Sequence, residues 1–312
     1  MEFTPRLPWA DVPPFVVDGV QQLLGAKIVR VEALVGGFSP GAAVRAYLDD
    51  NSTVFIKTVG TSLNPMSVEL YRREAQYTAR LPETFPAPRL VGVFDQDDWI
   101  ALIFDDVAGP MPSEPWRTDE LTLVLDGVDA IAIAGSPSPF EAPSFSEQIG
   151  ASSSWEGFRQ ITAEDRLIEG LDPWTADYLD QLVALESGWR EATAGTTLMH
   201  GDIRRDNMLI AGERVMFVDW ASCSIGAPWL DLALFLPSVT VGGGPQPATI
   251  WATRRVARTA SEDQLCTLVT AILGYLTLSA MSPAPANMPT VRAYQAKTRD
   301  VTREWLQTLL GE

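Results

Sequence analysis

Alternation of apolar and polar positions organises the first hundred residues. AKIVRVEALVGG (26–37) alternates as a half-buried strand does. AVRAYLDDNSTVFIKTV (43–59) reads as two strands joined by the turn Asp49-Asp50-Asn51-Ser52. RLVGVF and WIALIF read as two more around Asp95-Gln96-Asp97-Asp98. Between these pairs, NPMSVELYRREAQYTARL predicts a helix whose buried face carries Met66, Leu70, Ala75 and Leu81. The lobe closes at DDVAGPMP, whose Gly109, Pro110 and Pro112 punctuate a linker. Beyond it the period changes, and helices are predicted over 117–134, 171–194, 262–281 and 290–310, with loops at 241–247 and 282–289. The expected fold class is α+β with two lobes. Residues 1–107 form a small lobe of about five antiparallel strands and one helix, and residues 108–312 a larger, mainly helical one.

Length and composition agree with this division. A chain of 312 residues, 46% apolar and 20% charged, can bury a sizeable core in about two domains. Cys223 and Cys266 stand far apart, without zinc or redox spacing, and read as reduced thiols. The N-terminus MEFTPRLPWADVPPF lacks the cationic start and apolar core of a signal peptide. No uninterrupted apolar run nears the roughly 20 residues that span a bilayer. A cytoplasmic protein with no membrane partner is expected. A formal charge of −17 argues against a nucleic-acid partner, which needs a basic face. Residues 1–100 hold 12 acidic and 9 basic side chains, whereas 141–191 hold 11 acidic and 3 basic, a net of −8. That block is either a set of solvated helix faces or a wall that attracts a cationic ligand.

The window LMHGDIRRDNMLIAGERVMFVDW (198–220) carries the candidate chemistry, including the single histidine, His200. MLI and VMFV suit two short strands around the turn Ala211-Gly212-Glu213-Arg214. Pairing them antiparallel sets the residue before the first strand, Asn207, beside the residue after the second, Asp219. An amide oxygen and a carboxylate then meet where a hard divalent cation can bind. Asp202, in the loop entering the hairpin, is a second carboxylate placed to orient a hydroxyl nucleophile.

HGDIRRDN, then FVDW, then PWLDLA resembles the signature of the aminoglycoside phosphotransferase and choline kinase-like family, which has a protein-kinase-like fold. The likeness is strongest over 198–235 and looser over about 30–110. It implies transfer of the γ-phosphoryl group of ATP or GTP to a hydroxyl of a small molecule. Asp202 would be the catalytic base, Asn207 and Asp219 the Mg2+ ligands, and His200 a structural buttress. Asp231 would hold the segment following the metal aspartate. Lys57, mid-strand in VFIKTV, would meet the α- and β-phosphates and pair with Glu74 or, alternatively, Glu69. GGFSPGAA (36–43) would cover the phosphates, with backbone amides at Ser39 and Gly41–Ala43 meeting their oxygens. The Asp105 carbonyl and Val107 amide would meet adenine, and Arg204 would neutralise the transferred phosphoryl group.

GFSPG (37–41) also fits GxSxG, the serine-hydrolase elbow. The residue after the nucleophile must donate its N–H to the oxyanion, and here it is Pro40, which has none. A protein kinase is disfavoured because DWASCSIGAPW runs directly to Asp231, leaving little room for a long activation segment. A non-catalytic nucleotide-binding regulatory module would not need Lys57, Asp202, Asn207 and Asp219 together. For the acceptor, a cationic aminoglycoside-like antibiotic and a metabolic sugar or amino alcohol both remain open.

Overall fold

The computed structural model describes residues 5–34, 36, 39–150, 155–285 and 290–312. Of the expected turn GGFSPGAA, Gly37 and Phe38 lie outside the described residues. Two compact units emerge. One comprises the described residues up to Pro112 together with Arg204–Cys223; the other comprises Ser113–Ile203 and Ser224–Glu312. The segment 204–223 therefore groups with the N-terminal residues, not with 108–312 as the sequence division had it.

The first unit is built on a five-stranded antiparallel sheet of β1 (Ile28–Ala33), β2 (Ala42–Leu48), β3 (Thr53–Gly60), β4 (Leu90–Gln96) and β5 (Trp99–Asp105), in the order β1-β2-β3-β5-β4. Strand alternation sorts its side chains onto two faces. Val44, Ala46, Ile56 and Ile103 pack with Val16 and Val20 of helix α1 (Pro14–Leu24). Val59, Ile100, Leu102 and Phe104 pack with Val68 and Tyr71 of α2 (Pro65–Thr78). Helix α1 was not anticipated. It starts with Pro14 in its first turn and stops at Gly25, whose φ of 66° is the left-handed conformation glycine adopts without strain.

Helix α2 starts where Asn64 accepts from the Ser67 amide at 3.1 Å. Its buried face differs from the expected one. Val68, Tyr71, Glu74 and Thr78 point inward, while Met66 is 65% exposed. The face is half polar because Lys57 lies opposite it. The second sheet of this unit is the hairpin β7 (Met208–Ala211) and β8 (Arg214–Phe217), preceded in the chain by β6 (Thr197–Met199) of the other unit.

The second unit is mainly helical. β6 pairs with β9 (Ser224–Gly226), a two-stranded sheet that the sequence did not reveal. Helix α3 (Thr118–Ala134) and the helices Glu262–Met281 and Val291–Leu310 fall where expected. The helix expected over 171–194 is instead three pieces, Pro173–Asp177, Leu179–Glu186 and Trp189–Ala192, interrupted at Tyr178 and Gly188. Leu230–Val241 is an additional helix, buried on nearly every side. Glu262–Met281 has a mean hydropathy of 1.5 over 18 residues and is long and apolar enough, by length and composition alone, to cross a bilayer. Two-thirds of that window is buried inside the unit, as in a core helix.

Candidate active site

β3 sets Lys57 between Ala43 of β2 and Leu102 of β5 and directs it toward α2. Its ammonium forms an ion pair with Glu74 and stands 3.7 Å from Asp219 Oδ1 and 4.6 Å from the Tyr71 ring centroid. Burial alone would pull the lysine pKa down; Asp219 and Glu74 outweigh that and hold it above its ordinary value. Burial likewise pushes Glu74 up, and Lys57 opposes the push. Glu69, the other candidate partner, is instead paired at 2.7 Å with Arg72 on the exposed side of α2.

Asp219 follows β8, and its backbone (φ 66°, ψ 61°) is left-handed, a conformation open to aspartate but uncommon. Next to it the hairpin register, Met208 opposite Phe217, continues through a bond from Val218 N to the Asn207 carbonyl at 2.9 Å. Asn207 and Asp219 are thus brought together by strand pairing. The hairpin is docked within its own unit by Phe217 N on Pro86 O at 2.7 Å and Ile210 N on Pro110 O at 2.8 Å. Gly109 permits that approach, since a Cβ there would lie 2.0 Å from the Ile210 carbonyl oxygen. Trp220, fully buried, donates to Phe217 O at 2.8 Å and meets Phe85 edge-on, fixing the chain after Asp219.

Lys57, Tyr71, Glu74, Asn207 and Asp219 line one cavity of about 360 Å3, a size that suits a small-molecule or cofactor site. Phe55, Phe104, Val107, Leu209 and Val218 make its apolar walls; Lys57, Glu74, Asp206, Asn207 and Asp219 make a polar end. Asp105 and Val107, the expected adenine partners, both line it; the Asp105 carboxylate is held outside by Arg89 at 3.0 Å. Ser39 lines it too, but its hydroxyl is committed, accepting from Tyr71 Oη at 3.0 Å and from Gly41 N at 3.3 Å. The Gly41 amide therefore points at Ser39, not outward. A Cβ at Gly41 would sit 2.1 Å from the Thr58 carbonyl, which is why the turn closes on glycine.

Two residues passed over in the sequence belong to this site. Asp206 lines the cavity and takes the Arg204 guanidinium, with Nε 3.1 Å from Oδ1. Arg204 is thus oriented by its neighbour, and it is absent from the residues lining the cavity. Arg45 also lines the cavity, and its Nε is shared between the two Asp106 carboxylate oxygens at 2.7 and 2.9 Å. An Asp two residues after an Arg, and an Arg on the strand facing Phe55, were the signals available.

The second unit carries the rest of the window. His200, fully buried, follows β6, and its Nδ1 accepts from the Asp202 amide at 3.2 Å, so a neutral ring carries its proton on Nε2. Asp231, in the first turn of Leu230–Val241, accepts from His200 N at 2.7 Å and Gly201 N at 2.9 Å. It holds the segment before Asp202, not the one following Asp219 that the resemblance implied. Burial raises the Asp231 pKa, and His200 and these two amides pull against that rise. Gly201, between His200 and Asp202, has a positive φ of 79°, a conformation glycine adopts without strain.

The sequence profile of the phosphotransferase enzyme family (APH) matches residues 35–262, and the chain belongs to that family. It is an enzyme of the small-molecule kinase class. No curated protein sequence matches the chain. Among solved structures it is similar to a thermostable mutant of aminoglycoside phosphotransferase APH(4)-Ia in complex with ADP and hygromycin B, at 16% identity and a TM-score of 0.57, covering 92% of this chain and 98% of that one. Choline kinase LicA from Streptococcus pneumoniae gives 12%, 0.54, 93% and 98%. Macrolide 2'-phosphotransferase MphH from Brachybacterium faecium gives 18%, 0.52, 90% and 98%. These likenesses establish the fold, α+β and protein-kinase-like.

Proposed function

We propose that the enzyme transfers the γ-phosphoryl group of ATP to a hydroxyl of a small molecule, with Asp202 as the base. The observation that carries this reading is the buried Lys57–Glu74 pair, with Asp219 3.7 Å from the same ammonium, on the wall of one cavity. A buried lysine held charged by two carboxylates is costly to maintain and suits the recognition of phosphate. The ADP named in the APH(4)-Ia complex supports a nucleotide in this cavity.

Asn207 and Asp219 fit a divalent ion: both present oxygen donors, both line the cavity, and both lie at the open end of the hairpin. Two protein oxygens with water and phosphate completing the shell suit magnesium, which when bound neutralises phosphate charge. Lys57 orients the α- and β-phosphates, and Glu74 fixes the lysine. Phe55, Phe104 and Leu209 enclose the base, and the backbone at Asp105 and Val107 reads its edge. Asp202 orients the acceptor hydroxyl and takes its proton late, so alignment and electrostatics carry the rate.

The acceptor is an alcohol-bearing small molecule, as the neighbours' hygromycin B, macrolide and choline are small molecules. The acid excess over 141–191 favours one that carries amines. The favour is modest, because Glu147, Glu156, Asp172 and Glu186 are committed to Ser144, Arg190, Arg303 and backbone amides at 158–159. Asp202→Ala tests the mechanism: turnover should fall about 100-fold or more, with ATP affinity nearly unchanged. Full turnover in this variant, measured as ADP release across an acceptor panel, would remove Asp202 from the chemistry.

A further inference from the structure

We propose that Arg6 is a phosphate-positioning residue, fixing the turn between β1 and β2 and offering its spare N–H groups to the terminal phosphates. The inference rests on reading the cavity as an ATP site. Three observations converge on it.

The segment around Arg6 is pinned. Leu7 N donates to Pro40 O at 2.9 Å, and Leu7 and Trp9 pack against the apolar cluster under the sheet. Arg6, next to this anchor, lines the cavity with Lys57 and Ser39.

Its guanidinium bridges the two sides of the turn. Nε lies 2.9 Å from the Gly36 carbonyl oxygen, which Nη2 also contacts, and Nη1 lies 3.4 Å from the Gly41 carbonyl oxygen. An arginine has five N–H donors in a rigid fork. Among the described residues, three of them meet these two carbonyls, and two remain.

Charge completes the case. Three cations line the cavity; Lys57 is paired with Glu74 and Asp219, and Arg45 with Asp106. Among the described residues, Arg6 has no carboxylate partner, so its charge is the one not already spent on an aspartate or glutamate. Glu74, Asp105, Asp106, Asp206 and Asp219 line the same cavity. A polyphosphate entering it meets more acids than bases and gains from an uncommitted guanidinium.

The test is calorimetric titration of wild type, Arg6→Ala and Arg6→Lys with ATP and with adenosine, alongside thermal melts. Arg6→Ala should weaken ATP about tenfold or more and leave adenosine within about twofold. Arg6→Lys should recover part of the loss, because an ammonium restores charge but not the fork. If the alanine variant fails to fold, Arg6→Gln replaces it. Equal losses of ATP and adenosine, or ATP affinity unchanged in Arg6→Ala, would overturn the proposal. Wild type that bound adenosine no worse than ATP would overturn the ATP reading as well, whereas a normal wild type with an indifferent Arg6→Ala would overturn Arg6 alone.

Discussion

At Lys57 burial and charge oppose each other. The residue is 8% exposed in mid-strand, where an unpaired ammonium would be expelled or neutralised, yet two carboxylates hold it charged. The arrangement has a cost in stability, and its proposed use in phosphate binding yields a prediction at this scale. Lys57→Met should lower kcat/KM about 100-fold or more, and Glu74→Gln should lower it less, since an amide oxygen still accepts from the ammonium. If Glu74 acts through Lys57, the double variant should be no worse than Lys57→Met, a strong departure from additivity in a double-mutant cycle. Additive losses would show that the two residues act separately. Lys57 was legible in the sequence because a charged residue interrupts a strand's alternation. Arg6 was not: a lone arginine between prolines near a terminus has no period and no motif, and its role depends on a turn 30 residues away.

Among the elements, α3 could be read because one side is buried and the other exposed. β2, β3 and β5, covered on both sheet faces, could be read as short apolar runs rich in β-branched and aromatic residues and joined by polar turns. LDLALFLPSVTV could not, since a helix buried all round has no period to detect. β6 and β9, three residues each, are too short for alternation to register. The buried face of α2 was misassigned because apolar spacing was followed while its inward face is set by the partner, Lys57.

Glu186, at the end of Leu179–Glu186, shows what another such polar contact does outside the cavity. It accepts from the amides of Phe158 and Arg159 at 3.0 and 3.1 Å, capping the start of a neighbouring short helix. Burial pushes its pKa up from 4.5 to about 7, and the amide bonds only partly offset this. A carboxylate whose folded pKa is raised favours the folded state fully below its unfolded value, and that contribution is lost as pH rises through the folded one. Wild type should therefore lose melting temperature relative to Glu186→Gln between about pH 4.5 and 7 and hold a constant difference above. A difference that stays flat from pH 4.5 to 8 in paired melts would contradict this.

For the molecule as a whole, the proposed ATP site requires a chain of net charge −17 to admit a polyanion to a cavity lined by five acidic and three basic residues. Local neutralisation decides whether it can, because beyond roughly 8–10 Å ordinary salt screens the remaining charge. That is the physical reason a divalent ion belongs in the account, and the hairpin of β7 and β8 is where it would be held. The measurement that bears most directly on this is ATP affinity with and without Mg2+ in wild type, Asn207→Ala and Asp219→Ala. Mg2+ should strengthen ATP binding to wild type, each substitution should remove most of the strengthening, and adenosine binding should be left intact. An equal Mg2+ effect in all three proteins would contradict this.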